Sequence, residues 1–178
     1  TRSQESTPVL VGDTLFVTSS FGPKNTFAVN AKTGEVKWTY QPDVPSGIDQ
    51  YACCDVNNRG VAVAGDKVFV GRLDAHVVAL DQKTGKELWK TKIVDYTQGS
   101  VITAPPTIVK NLVVTGYGGG EYGARGSLVA LVMAAEGTRR TDGSWKSGFY
   151  HIAIAAGVPI VPTWVCNKTK RLGFGPAL

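Results

Sequence analysis

No run of about 18 consecutive apolar residues occurs in this 178-residue chain, which excludes a membrane-spanning helix. The first residue is Thr1, not Met, and no signal-like apolar segment follows it. The chain is therefore expected to start after a removed segment or inside a larger protein. Its net charge of +5 and pI near 9.2 would suit nucleic acid, but the basic residues lack aromatic interleaving or a recognisable reading motif, and that function is set aside. Cysteine is scarce, with three residues, yet two of them are adjacent.

Those two, Cys53 and Cys54, stand in the run Ala52-Cys53-Cys54-Asp55-Val56-Asn57-Asn58-Arg59-Gly60. Neighbouring Cα atoms lie about 3.8 Å apart across a trans peptide, below the usual disulfide range, so a bond between them would close a strained, rigid ring. Two small buried thiols that happen to adjoin are an equally open reading.

An internal repeat frames the doublet. Phe27-Ala28-Val29-Asn30-Ala31-Lys32-Thr33-Gly34 through Trp38 recurs as Val78-Ala79-Leu80-Asp81-Gln82-Lys83-Thr84-Gly85 through Trp89, a period of 51, and Val129-Ala130-Leu131 begins a third copy on schedule. Each copy follows a β-rich run, at Thr14 to Thr18, Lys67 to Val70 and Leu112 to Thr115. A unit of short strands with an Asp/Asn-x-Lys-Thr-Gly turn before a strand carrying Trp predicts one propeller blade, with glycine supplying the positive φ of the turn. Propellers need about four blades or more, so two copies and part of a third cannot close a ring.

These residues resemble the quinoprotein alcohol dehydrogenases, eight-bladed enzymes that use pyrroloquinoline quinone (PQQ) and a calcium or lanthanide ion. The resemblance covers about residues 4–131. It rests on Glu5-Ser6-Thr7-Pro8, the stretch from Phe21 to Phe27, the Cys-Cys-Asp-Val-Asn-Asn-Arg-Gly run, Ile102-Thr103-Ala104-Pro105, and the glycine-rich run from Gly118 to Gly126. It implies a vicinal disulfide between Cys53 and Cys54 stacked on one quinone face, Arg59 at the ortho-quinone oxygens, Glu5 at the cofactor's polar edge and Glu121 as a metal ligand. It also implies an alcohol substrate, a cytochrome c electron acceptor and the periplasm, an oxidising compartment in which Cys166 would remain a free thiol. The residue chemistry is compatible: a polyanionic quinone wants guanidinium forks, hydroxyls and backbone N–H groups, which Arg59, Thr103 and Gly118, Gly119 and Gly120 can supply. A hard cation wants a carboxylate such as that of Glu121. Taken singly, Arg59 reads as a surface ion pair and Glu121 as a solvated loop carboxylate. The family's catalytic Asp, its metal-site Asn, a Trp over the second quinone face and a further basic residue belong to later blades. The implied fragment is thus part of a cofactor floor that needs missing blades or a partner chain.

The pattern changes after Val132, where the repeat calls for an Asp and a Thr-Gly turn but the chain reads Val132-Met133-Ala134-Ala135-Glu136-Gly137-Thr138-Arg139. Residues 1–132 hold 13 basic and 12 acidic side chains, whereas residues 133–178 hold 6 and 2, so most of the net charge sits in the tail. Ser147 to Ala156 reads as a short helix and Val158 to Val165 as a buried strand, an α/β unit suited to a parallel sheet. This tail resembles the glycerol-3-phosphate and lysophosphatidate acyltransferases. The resemblance implies Glu136 and Arg139 as a phosphate-binding pair and would place the tail at the cytoplasmic membrane face. That family needs a His-x4-Asp pair. The one present, His76 to Asp81, is rejected, because His76 lies on a blade strand and Asp81 is the repeat's turn residue.

The sequence therefore predicts a mainly β chain: a partial β-propeller of two to three blades over 1–132, then a short α/β segment over 133–178. Joined without a linker, the two halves read as a chimera, a fusion remnant or a misassigned sequence. The function expected is that of an alcohol dehydrogenase fragment, with an acyltransferase-like phosphate-binding fragment and a non-enzymatic β module as alternatives.

Overall fold

A computed structural model describes residues 5–20, 25–52 and 56–132, together with the backbone of strands Thr163–Cys166 and Arg171–Phe174. The Cα framework divides into two compact units, Thr1–Val109 with Val113–Leu131, and Lys110–Leu112 with Val132–Leu178.

The repeat appears as successive antiparallel meanders. Strands β1 (Val9–Val11), β2 (Thr14–Thr18), β3 (Thr26–Asn30) and β4 (Val36–Tyr40) form one four-stranded sheet in chain order. The second sheet repeats that order with β5 (Val61–Ala64), β6 (Lys67–Gly71), β7 (His76–Asp81) and β8 (Glu87–Lys92). A third, of β9 (Thr107–Val109), β10 (Leu112–Tyr117) and β11 (Ser127–Val132), has three strands. Even the irregularities share the period: the register shifts between Ala28 and Val29 in the first sheet and between Ala79 and Leu80, 51 residues on, in the second.

The turns explain why the repeat motif holds its shape. Asn30 Oδ1 accepts the N–H groups of Lys32 (2.9 Å) and Thr33 (3.2 Å), and Asp81 Oδ1 accepts those of Lys83 (3.0 Å) and Thr84 (2.8 Å). The Thr84 hydroxyl, with these N–H groups, holds the Asp81 carboxyl below its ordinary range. Gly34 and Gly85 close the two turns at φ of 76° and 70°.

Packing between the first two sheets supplies the core. Phe16, Ala28, Trp38 and Tyr40 of the first cluster with Val61, Val68, Val70, Val78 and Leu80 of the second. Burial alternates along β2 and β3, the pattern of a sheet covered on one face, but is continuous through β6 and β7, the pattern of a sheet covered on both. Across the seam, the Trp38 indole donates Nε1–H to the Gln82 carbonyl at 3.0 Å and lies flat against Gly85, where a Cβ would fall 2.5 Å from its ring.

Two expectations for the tail meet the structure differently. The strands described there, β12 (Thr163–Cys166) and β13 (Arg171–Phe174), form an antiparallel hairpin pairing Thr163 with Phe174 and Cys166 with Arg171. The first covers the end of the strand expected over 158–165, and residues 158–162 of that stretch lie outside the described residues. The expected helix over 147–156 lies outside the described residues.

The inter-sheet contact can be tested with a matched pair of substitutions. Gly34→Ala and Gly85→Ala both place alanine at positive φ, costing about 1 kcal/mol, but only the second drives a methyl into Trp38, since nothing lies within 4 Å of a Cβ at Gly34. Denaturant unfolding should show Gly85→Ala less stable than Gly34→Ala by a further ~1–3 kcal/mol, the usual cost of overpacking. Equal losses would show that the indole contact contributes nothing.

Candidate functional site

Three of the sequence-predicted residues meet at one point. Residue 59 is held on both sides of its backbone, with the Thr7 N–H donating to its carbonyl (3.0 Å) and its own N–H donating to the Thr103 carbonyl (2.8 Å). That backbone clamp lays the Arg59 side chain between Glu5 and Thr103, where Nε meets Glu5 Oε2 at 2.9 Å and Nη1 donates to Thr103 Oγ1 at 2.5 Å. The pair is half open to solvent, at 42% exposure for Arg59 and 39% for Glu5. The Nη2 donors of Arg59 have no partner among the described residues, so the guanidinium is fixed in plane while keeping hydrogen-bonding capacity for a ligand.

Neighbouring residues anchor the run that carries Arg59. Asn58, buried, donates Nδ2–H to the Gly71 carbonyl at the end of β6 (2.9 Å), and its Oδ1 accepts the Gly60 N–H (3.1 Å). The buried Thr18 hydroxyl donates to the Asn58 carbonyl (3.0 Å), and the Thr18 N–H donates to Ser6 Oγ (2.9 Å), tying the segment after Glu5 to the same place.

The glycine-rich run joins through the segment that carries Thr103. Val101 and Gly118 exchange both backbone hydrogen bonds, at 2.9 and 3.1 Å, two residues from the Thr103 carbonyl that receives Arg59. Gly119 packs so tightly against Gly99 that a Cβ would lie 1.8 Å from its carbonyl oxygen, whereas Gly118 and Gly120 face open space. Glu121 lies exposed in the 3-10 turn Gly120–Tyr122. Among the described residues no group of three or more His, Cys, Asp or Glu gathers around it or elsewhere, so it offers one carboxylate, not a complete cation cage.

A second polar cluster, not foreseen from the sequence, lies where β4 meets the second sheet. Arg72, 1% exposed, grips Asp74 with two parallel bonds, Nε to Oδ1 at 3.0 Å and Nη2 to Oδ2 at 2.7 Å, and Nη2 also donates to the Asp43 carbonyl. The Tyr40 hydroxyl, 3.5 Å from Arg72 Nη1, donates to Glu87 Oε2 at 2.7 Å, and burial, reinforced by that bond, pushes its phenol well above the ordinary range. His76 Nδ1 lies 3.0 Å from the Asp74 carbonyl and 3.1 Å from its carboxylate, both acceptors, which assigns the proton to that nitrogen. His76 and Asp81 take separate structural roles, so the histidine-aspartate spacing has no catalytic meaning here. The only hint of the cluster in the sequence was Arg72-Leu73-Asp74 in a turn between two apolar strands.

A cavity of about 630 Å³ is bounded by residues 41–49, Ser19, Ser20, Asn25, Val56, Asn57, Asn58 and Leu73. Cys53 and Cys54, and Glu136 and Arg139 of the acyltransferase reading, lie outside the described residues.

Comparison with known proteins agrees with the propeller repeat. A PQQ family model, described as glucose/ethanol/alcohol dehydrogenase, beta-propeller domain, matches residues 1–127. A lanthanide-dependent methanol dehydrogenase of Methylacidiphilum fumariolicum is 44% identical over 131 residues, 72% of this chain and 21% of that protein. A 1-butanol dehydrogenase (cytochrome c) of Thauera butanivorans is 42% identical over 130 residues, 72% of this chain and 18% of that protein. The solved structure of a europium-containing methanol dehydrogenase superposes with a TM-score of 0.69 at 42% identity, over 74% of this chain and 23% of that one. The chain thus spans about a fifth of the length of these relatives, and the family match ends at residue 127, lending nothing to the acyltransferase or chimera readings of the tail. With its blade repeat, its inter-sheet packing and its matched run of 127 residues, the chain belongs to the β-propeller domain family of the PQQ-dependent glucose, ethanol and alcohol dehydrogenases.

Proposed function

We propose that this chain forms part of the cofactor floor of a quinoprotein dehydrogenase that oxidises primary alcohols. The observation that carries the reading is the convergence of Glu5, Arg59 and Thr103, from three separate segments, on one half-open guanidinium with free donors. The donor set suits a polyanionic quinone: a charged fork, a hydroxyl and exposed glycine backbone at Gly118 and Gly120. PQQ, when bound, supplies the two-electron acceptor for the alcohol. Arg59 would bind and orient its ortho-quinone oxygens, with Glu5 holding the guanidinium plane at the cofactor's polar edge. Thr103 and the backbone of Gly118, Gly119 and Gly120 would take carboxylate oxygens. Cys53 and Cys54, as a vicinal disulfide, would present a rigid surface to one face, and Glu121 would give one oxygen ligand to a calcium or lanthanide ion. Residues supplied by further blades would complete the centre. A cytochrome c acceptor, as the name of the Thauera relative states for that protein, and a periplasmic setting accord with this reading. No helix among the described residues is long and apolar enough to cross a membrane.

Two measurements test the proposal. Titrating the chain with PQQ in the presence of calcium, and separately of lanthanum, should quench tryptophan fluorescence saturably, and Arg59→Met should weaken binding by about tenfold or more, the worth of a charge-assisted hydrogen bond. Equal affinity in the two proteins would remove Arg59 from the site. Thiol titration of the unreduced, denatured chain should find Cys166 alone reactive. Three reactive thiols would exclude the disulfide.

A further inference from the structure

Gly71, buried at the end of β6, has a φ outside the left-handed region, so its backbone is one that any residue can adopt. Glycine is needed there for closeness instead. A Cβ at this position would fall 2.4 Å from Ile102 Cγ2 and 3.0 Å from the Ala104 carbonyl oxygen, so the two residues that flank Thr103 pack directly against the bare backbone of residue 71. Ile102 is 0% exposed and branched at Cβ, which leaves it little rotamer freedom with which to step aside.

The same residue also holds the segment that carries Arg59. The Gly71 carbonyl accepts Nδ2–H of buried Asn58 at 2.9 Å, and Asn58 directly precedes Arg59. Asn58 leaves that segment no slack. Its Oδ1 accepts the Gly60 N–H at 3.1 Å and its own carbonyl accepts the Thr18 hydroxyl at 3.0 Å, so both peptide groups beside Arg59 are tied down. Arg59 and Thr103 then meet twice, backbone N–H to carbonyl at 2.8 Å and Nη1 to Oγ1 at 2.5 Å. Two segments far apart in sequence are thus both placed from one residue. Carbon atoms pack at about 3.5 Å or more, so a methyl at residue 71 would push the Ile102 segment back by about 1 Å. That shift parts the Thr103 hydroxyl from a guanidinium that Glu5 keeps in place.

We propose that Gly71 is a positioning residue of the quinone site: together with Asn58 it sets the spacing between the Arg59 guanidinium and the Thr103 hydroxyl, and through that spacing the affinity for PQQ. The role in affinity rests on the quinone reading, whereas the spacing is measured without quinone. In nitrogen-15 NMR of the 178-residue chain, the Arg59 Nε–H, identified by its loss in Arg59→Met, should exchange with solvent about fivefold faster in Gly71→Ala than in the unmodified chain. PQQ titrated in the presence of calcium and followed by tryptophan fluorescence should bind Gly71→Ala about fivefold more weakly, the worth of one hydrogen bond. Adding Ile102→Ala to Gly71→Ala removes the γ-methyl that the new methyl strikes, and should recover most of both losses. A role in stability alone would leave the Arg59 signal and the affinity of the folded chain unchanged. Where circular dichroism shows Gly71→Ala unfolded, Asn58→Ser decides. Its hydroxyl can still take the Gly60 N–H but is too short for the Gly71 carbonyl, and the same changes are expected. An unchanged Arg59 exchange rate in a folded variant overturns the proposal, as does unchanged affinity where the unmodified chain binds PQQ. If the unmodified chain binds no PQQ while the Arg59 signal responds, the spacing role stands and the quinone reading falls.

Discussion

The seam between the first two sheets is the constraint on which the rest of the structure depends. A four-stranded meander with apolar side chains on its faces gains little stability alone, because its hydrophobic area is removed from water only when a second sheet covers it. Here that coverage comes from Phe16, Ala28, Trp38 and Tyr40 meeting Val68, Val70, Val78 and Leu80, and it is given a single register by the indole of Trp38. The ring stacks where Gly85 has no side chain, and its one polar atom is satisfied by the Gln82 carbonyl. Both partners belong to the repeat motif, so the turn that reverses the chain in the second sheet is also the surface on which the first sheet docks.

Fixing the seam fixes what projects from it. Tyr40 ends β4 and Gly71 ends β6, and the connections leaving them, residues 41–60 and 72–75, carry both polar clusters. Asn58 reaches back to Gly71 and Thr18 reaches across to Asn58, so the run before Arg59 is anchored to the ends of two sheets. The Arg59 guanidinium needs this scaffold, since its contacts come from chain positions 54 residues upstream and 44 downstream.

Much of the fold was legible in the sequence because its signals are local and periodic. The Asn30 and Asp81 turns, the glycines after them and the alternating strands lie within a few residues of one another, whereas the shared bulge, although it keeps the 51-residue spacing, was not foreseen. The candidate site was legible only through family resemblance. Nothing near Arg59 in sequence reveals that Glu5 and Thr103 are its partners, and alone it read as a surface cation. Arg72 was missed for a related reason: Asp74 is local, but its other acceptors, the Asp43 carbonyl and the Tyr40 hydroxyl, come together with it only after two sheets have packed. In the tail, a hydrophobic stretch with two prolines does not state its partner, and the pairing of Thr163 to Cys166 is set by Arg171 to Phe174.

The two arginines show how one side chain serves opposite ends according to enclosure. Arg72 is removed from water, so its charge must be matched within the fold, and Asp74 does so with two parallel bonds while the Asp43 carbonyl takes a further donor. Such a pair adds little net stability over an apolar replacement, yet loss of one partner is costly, which makes it a rigid fixture. Arg59 keeps nearly half its side-chain surface in solvent, where water supports the unused donors until something better replaces it. A guanidinium oriented by Glu5 and Thr103 but not saturated by them can accept a ligand's oxygens with little reorganisation. Burial, more than residue type, therefore separates the arginine that holds the scaffold from the arginine that is available to a cofactor.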